Sequence, residues 1–203
     1  MKIFCIGRNY VDHVSELNNE IPTAPVVFMK PPTALLTDNK PFYYPNFTHD
    51  LHYECEIVLR ICKNGKAIQE KFAHTYYDAV TVGIDFTARD LQEHQKSKGL
   101  PWEIAKAFDQ SAVIGSWHKL DDLAKSQALQ FSLSKNDEVV QIGDTKKMMY
   151  SFDKIISYLS IYFSLNMGDL IFTGTPKGVA AVKIGDVLTA NLAEQTLLKF
   201  EIK

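Results

Sequence analysis

A chain of 203 residues, 46% hydrophobic and 23% charged, is long enough to bury a proper core and has the composition of an ordinary globular protein, which excludes disordered and membrane-spanning classes. A formal net charge of −2 offers no general attraction to nucleic acid or to an anionic membrane, so a small molecule is the favoured partner. The three cysteines, Cys5, Cys55 and Cys62, stand at no zinc-like spacing in apolar segments and read as reduced packing residues. The opening MKIFCIGRNY is too short in its apolar part for a signal peptide; it reads as a first strand of a cytoplasmic protein, and 1–203 as one domain.

In chain order, 2–6 reads as a strand and GRNYVDHVSEL as a polar turn entering a short helix or loop. APVVFMKPP is a strand stopped by Pro31 and Pro32, which cannot continue a ladder. YECEIVLRICKNGKAI has Asn64-Gly65 between two apolar runs and is expected to be a hairpin. TYYDAVTVGI is a strand, and a helix is expected over 87–96. The stretch 108–117 reads as apolar loop, and a further hairpin turns at Lys135-Asn136-Asp137. SFDKIISYLSIYFSL is the best helix, with Phe152, Ile155, Ile156, Leu159 and Tyr162 or Phe163 on one stripe. The C-terminal stretch GDLIFTGTPKGV and onward reads as several strands broken by turns, so the chain is mainly β with a few helices.

The chemistry-bearing residues begin in DLHYECEIVLRI. As a strand it points Tyr53, Cys55, Ile57 and Leu59 one way and Glu54, Glu56 and Val58 the other, with the glutamates roughly 7 Å apart. Alone, this is a strand with a wet face. Asp85, in GIDFTARDLQ, shares an i, i+4, i+7 spacing with Arg89 and Gln92. Glu54, Glu56 and Asp85 together would make an oxygen-ligand site of the kind hard cations such as Mg²⁺ prefer, with positions left open for water or a chelating substrate. His13 and Glu16, three apart, suit a carboxylate-oriented general base. Lys106 follows an apolar pair and needs an anionic partner if buried, and Thr175 in TGTP offers a hydroxyl in a tight turn that suits a carboxylate.

The order of CIGRNYVDHVSEL, VVFMKPPTAL, DLHYECEIVLRI, VGIDFTARDLQ, KGLPWEIAKAFD, QIGDTKKMMYSF and NMGDLIFTGTPKGV resembles the fumarylacetoacetate hydrolase superfamily, in its short acylpyruvase and oxaloacetate decarboxylase branch. The resemblance implies a mixed β-sandwich roll of that family's C-terminal domain type, assembled as a homodimer. It implies Mg²⁺, with Mn²⁺ or Ca²⁺ as substitutes, on Glu54, Glu56 and Asp85, and His13 with Glu16 as a catalytic dyad on a lid-like segment. Lys106 is then catalytic, while Lys30, Arg89, Gln92 and Thr175 hold or line the site of a 2-oxo acid. Acylpyruvate hydrolysis is the expected reaction, with oxaloacetate decarboxylation or dienoate isomerisation or hydration as alternatives on the same site. The chain departs from its relatives with Ala180, Ala181 and Val182 after TGTPKGV, and with NLAEQTLL in place of a glycine-containing turn.

Overall fold

A computed structural model describes residues 1–11, 22–120 and 128–203. In chain order its strands are β1 (Ile3–Gly7), β2 (Val26–Lys30), β3 (Leu35–Leu36), β4 (Leu51–Tyr53), β5 (Cys55–Ile61), β6 (Tyr77–Asp85), β7 (Thr87–Ala88) and β8 (Ala112–Ile114). There follow β9 (His118–Lys119), β10 (Gln130–Lys135), β11 (Glu138–Asp144), β12 (Leu170–Phe172), β13 (Ala180–Ala181), β14 (Val187–Leu192) and β15 (Gln195–Glu201). An eight-stranded sheet runs β2-β1-β12-β5-β6-β8-β3 with β9 beside β6; β11-β10-β14-β15 and β13-β4-β7 form two smaller sheets. The result is a mainly β, curled architecture with few helices, as the sequence indicates.

Alternation does the sorting. Cys55, Ile57, Leu59 and Ile61 of β5 enter the large core with Phe4, Ile6, Val80, Val82 and Ile171, whereas Val58 packs on the opposite face with Ile3, Cys5, Leu170 and Phe172. Removing such apolar area from water supplies most of the stabilisation, at roughly 25 cal/mol per Å². The Phe152–Tyr162 helix is capped by the Ser151 hydroxyl, which accepts from the Lys154 N–H, and it buries Ile155, Ile156, Leu159 and Ser160, while Tyr162 at the end of the expected stripe is exposed. The helix expected over 87–96 is Arg89–Lys98, stopped by Gly99 at φ 64°. All three cysteines are free, Cys5 and Cys55 buried and Cys62 half-buried.

Two local readings differ from the fold. No hairpin forms at Asn64-Gly65: Gly65 pairs with Leu165, a short helix Glu70–Ala73 follows, and β5 runs antiparallel to β6 on one side and β12 on the other. A Cβ on Gly65 would collide with the Tyr76 ring, so the glycine serves close packing. The apolar stretch 108–117 is not all loop, since Ala112–Ile114 forms β8 between β6 and β3.

The departures noted in the sequence also find their places. Ala180 and Ala181 are extended and pair with Tyr53 and His52. In the NLAEQ turn, Ala193 sits at φ 49°, the left-handed region that costs an L-residue about 1–2 kcal/mol. Part of that strain is recovered by glycine, whose unfolded chain is more flexible, so Ala193→Gly is expected to stabilise by about 0.5–1 kcal/mol in urea unfolding. An unchanged or lowered midpoint would mean the turn carries no recoverable strain.

Candidate active site

The site forms where β5 leaves β4. Residue 54 lies between the two strands: β4 belongs to the small sheet with β7 and β13, and β5 to the large one. The Glu54 carbonyl accepts the Asp85 N–H at 2.9 Å, tying the end of β6 to this joint. Glu54, Glu56 and Asp85 are all buried, and one carboxylate oxygen from each lies within 4.8 Å of the others. Burial pushes the Glu56 carboxyl well above its usual range, with Asp85 and Glu54 pushing the same way and the Gly174 N–H and Lys106 opposing. Close, buried like charges of this kind call for a cation. An all-oxygen donor set matches a hard divalent ion, so these residues fit one.

Three basic side chains face the acids. The Lys106 ammonium donates to Glu54 Oε2 and to Asp85 Oδ2, each at 2.8 Å. Burial alone would lower its pKa, but Asp85 and Glu54 outweigh that and raise it, so Lys106 stays charged. Arg89, which opens the Arg89–Lys98 helix, donates through Nη2 to Glu54 Oε1 and through Nη1 to Gln92 Oε1, both at 2.6 Å. Lys30, at the end of β2, has its ammonium 2.8 Å from Asp85 Oδ1 and also donates to the Ser111 hydroxyl and to the carbonyls of Ser111, Phe86 and Lys106. Three carboxylates thus meet three cations in a buried cluster.

The i, i+4 relation expected between Asp85 and Arg89 is not the one used. Asp85 ends a strand and Arg89 begins a helix, and they are joined through Glu54 and Lys106. Thr175 lies one residue beyond Gly174, whose N–H donates to Glu56 Oε2 at 2.6 Å. Gly174 adopts φ 104°, and a Cβ there would meet that of Asn9 at 2.7 Å, so a side chain would displace this N–H. His13 and Glu16 lie outside the described residues.

Residues not singled out in the sequence hold this frame. Asn9 is fully buried; its amide donates to the carbonyls of Thr173 and Tyr150 and accepts the Tyr150 N–H. Ser111 accepts from Lys30 and donates to the Lys106 carbonyl. Gln141 links Cys55 to the 175–176 turn. The available signal was their position inside GRNY, QSAV and QIGD, polar residues among apolar ones. Beside Lys106 a cavity of about 410 Å³ is bordered by Val26, Phe28, Met29, Trp102 and Glu103.

Burying so many ionised groups is costly, and such clusters concentrate at functional sites; here β2, β5, β6, the β4–β5 joint and two helices bring them together in a β-rich enzyme with a carboxylate centre. The chain belongs to the fumarylacetoacetate hydrolase family: the family described as fumarylacetoacetate (FAA) hydrolase C-terminal matches residues 2–203. It is 39% identical to the mouse (Mus musculus) mitochondrial oxaloacetate tautomerase FAHD1 over 99% of this chain and 91% of that one. To a mitochondrial oxaloacetate decarboxylase of Dictyostelium discoideum it is 36% identical, over 99% and 93% of the two chains. The crystal structure of fumarylpyruvate hydrolase from Pseudomonas aeruginosa in complex with Mn²⁺ and pyruvate superposes with a TM-score of 0.94 at 35% identity, covering 100% of this chain and 89% of that one. Among the described residues no helix is long and apolar enough to cross a membrane.

Proposed function

We propose that the chain is a single-domain, Mg²⁺-dependent hydrolase that cleaves a carbon–carbon bond of acylpyruvate-type 2,4-dioxo acids through a pyruvate enolate, working as a cytoplasmic homodimer. The observation that carries this reading is the Lys106 ammonium, bonded to two of three clustered carboxylates and bordering a cavity. The pyruvate held by the Pseudomonas relative, which is what such a cleavage leaves behind, supports it.

Glu54, Glu56 and Asp85 would hold the ion, which would supply Lewis-acid stabilisation of the negative charge that develops on a 2-oxo acid. Lys30 keeps Asp85 in place, and Gln92 holds the Arg89 fork against Glu54. Lys106 and Arg89 offset the negative charge that develops on the 2-oxo oxygen, and Thr175 donates to the carboxylate. His13, oriented by Glu16, takes a proton from water as it adds to the distal carbonyl. The bond between that carbon and C3 then breaks with its electron pair passing to the pyruvate fragment. Protonation at C3 completes pyruvate and a carboxylic acid.

A second reading is favoured by the names of the relatives: conversion of oxaloacetate, by enol–keto interchange or loss of carbon dioxide. Tautomerisation is not among the reactions drawn from the sequence, yet it needs the same enolate and no attacking water. Assaying acylpyruvates, oxaloacetate and fumarylacetoacetate with Mg²⁺ and with chelator separates the two. Metal-dependent release of pyruvate from an acylpyruvate is expected; conversion of oxaloacetate with every acylpyruvate left intact would leave the second reading alone.

Mg²⁺ binding has a readout without turnover. At a hundredfold excess over its dissociation constant it should stabilise the fold by about 2.7 kcal/mol, raising Tm by roughly 5–10 °C. Glu56→Gln should abolish most of that shift, and an undiminished shift would remove Glu56 from the cage.

A further inference from the structure

Gln141 lies on β11, a strand of a different sheet from those that carry the acids, and is 2% exposed. Its Oε1 accepts the N–H of Cys55, the residue between the two glutamates, at 3.0 Å. Its Nε2 donates to Thr175 Oγ1 and to the Pro176 carbonyl, both at 2.9 Å. The orientation of this amide is unambiguous, because a backbone N–H can only donate and a carbonyl can only accept.

We propose that Gln141 is a positioning residue that fixes Thr175 as a hydrogen-bond donor toward the substrate's carboxylate. A hydroxyl has one proton and two lone pairs. With the Gln141 N–H occupying a lone pair of Thr175 Oγ1, the hydroxyl proton is directed elsewhere. Among the described residues its acceptor is the Pro176 carbonyl at 3.4 Å, near the limit of a hydrogen bond and easily exchanged for an anionic oxygen. The same amide anchors the backbone between Glu54 and Glu56, while Gly174 beside Thr175 anchors Glu56 itself. Gln141 therefore holds the donor in register with the carboxylate cluster, and this rests on the reading of Thr175 as a substrate-binding residue.

Gln141→Glu tests the proposal, because it keeps the acceptor for Cys55 but presents Thr175 with an oxygen. Thr175 then donates to residue 141 and turns its lone pairs to the substrate. Pyruvate affinity, measured by calorimetry with Mg²⁺ present, is expected to fall at least about tenfold, as for loss of a hydrogen bond to a charged group. KM should rise more than kcat falls, with the Mg²⁺-induced Tm shift kept. In a Thr175→Val background the same substitution should cost less than about twofold, since the two changes remove one interaction. Penalties that multiply would overturn the proposal, showing that residue 141 acts through charge or folding alone. Unchanged pyruvate affinity in Thr175→Val by itself would overturn the assignment of Thr175, and the proposal with it. Should Gln141→Glu not fold, Gln141→Met replaces it, with a loss of affinity again expected only where Thr175 is present.

Discussion

Lys106→Met is expected to lower kcat/KM about 10²–10³-fold for acylpyruvate cleavage and for oxaloacetate conversion alike, the range found when one donor to a developing oxyanion is removed. Both reactions need negative charge stabilised on the 2-oxo oxygen, and a buried ammonium is worth more there than in water. The substitution also leaves Glu54 and Asp85 without their shared partner. Breaking a buried ion pair from one side commonly costs about 3–5 kcal/mol, so the metal-free protein should melt well below the parent. A divalent cation takes over part of the lost positive charge, so the Mg²⁺-induced rise in Tm should be larger in the variant than in the parent. A variant that kept parental kcat/KM on both substrates would exclude Lys106 from the chemistry.

His13→Ala should divide the two reactions. Loss of a general base commonly costs about 10²–10⁴-fold, and only hydrolysis needs one to activate water. Oxaloacetate decarboxylation, which needs no water activated, is expected to fall far less, and the Mg²⁺-induced Tm shift should be unchanged. Both substrates are compared as kcat/KM at saturating Mg²⁺, so that the ratios report transition-state stabilisation rather than metal occupancy. Equal losses would assign His13 to a step common to both, such as proton transfer at C3 or closure over the substrate.

The parts of this protein that follow local rules were legible in its sequence. The alternation of YECEIVLRI assigned Cys55, Ile57 and Leu59 to the core and turned Glu56 to the other face, because strand geometry admits one alternation. The turn at Asn136-Asp137 and the Phe152–Tyr162 helix followed from turn chemistry and a 3.6-residue stripe. Asn64-Gly65 misled because its hairpin signal is local while its partners are distant: the Asn64 side chain accepts the Met167 N–H, and Gly65 pairs with Leu165. The pairing of Ala112–Ile114 with β6 and β3 is likewise invisible in a short apolar run. At the site, the acids and Lys106 could be proposed from residue type and motif order. Asn9 and Gln141 could not be given roles, since their partners lie 141, 164, 86 and 34 residues away and polar spacing encodes no such contact.

The three-against-three cluster of carboxylates and cations has an arithmetic consequence for which species it holds best. With Glu56 ionised, as binding of a cation would require, the charges of Glu54, Glu56 and Asp85 cancel those of Lys30, Arg89 and Lys106. A divalent ion leaves an excess of two positive charges. An acylpyruvate with an uncharged tail brings one negative charge as substrate, and its pyruvate fragment carries two only once the enolate has formed. Neutrality in this buried volume is then reached on the way over the barrier rather than at binding, which is the condition for accelerating a reaction instead of merely retaining its substrate. Oxaloacetate, with two carboxylates, reaches the same balance on arrival. The cluster should therefore discriminate between the two substrates in how tightly each ground state is held, before any bond is broken.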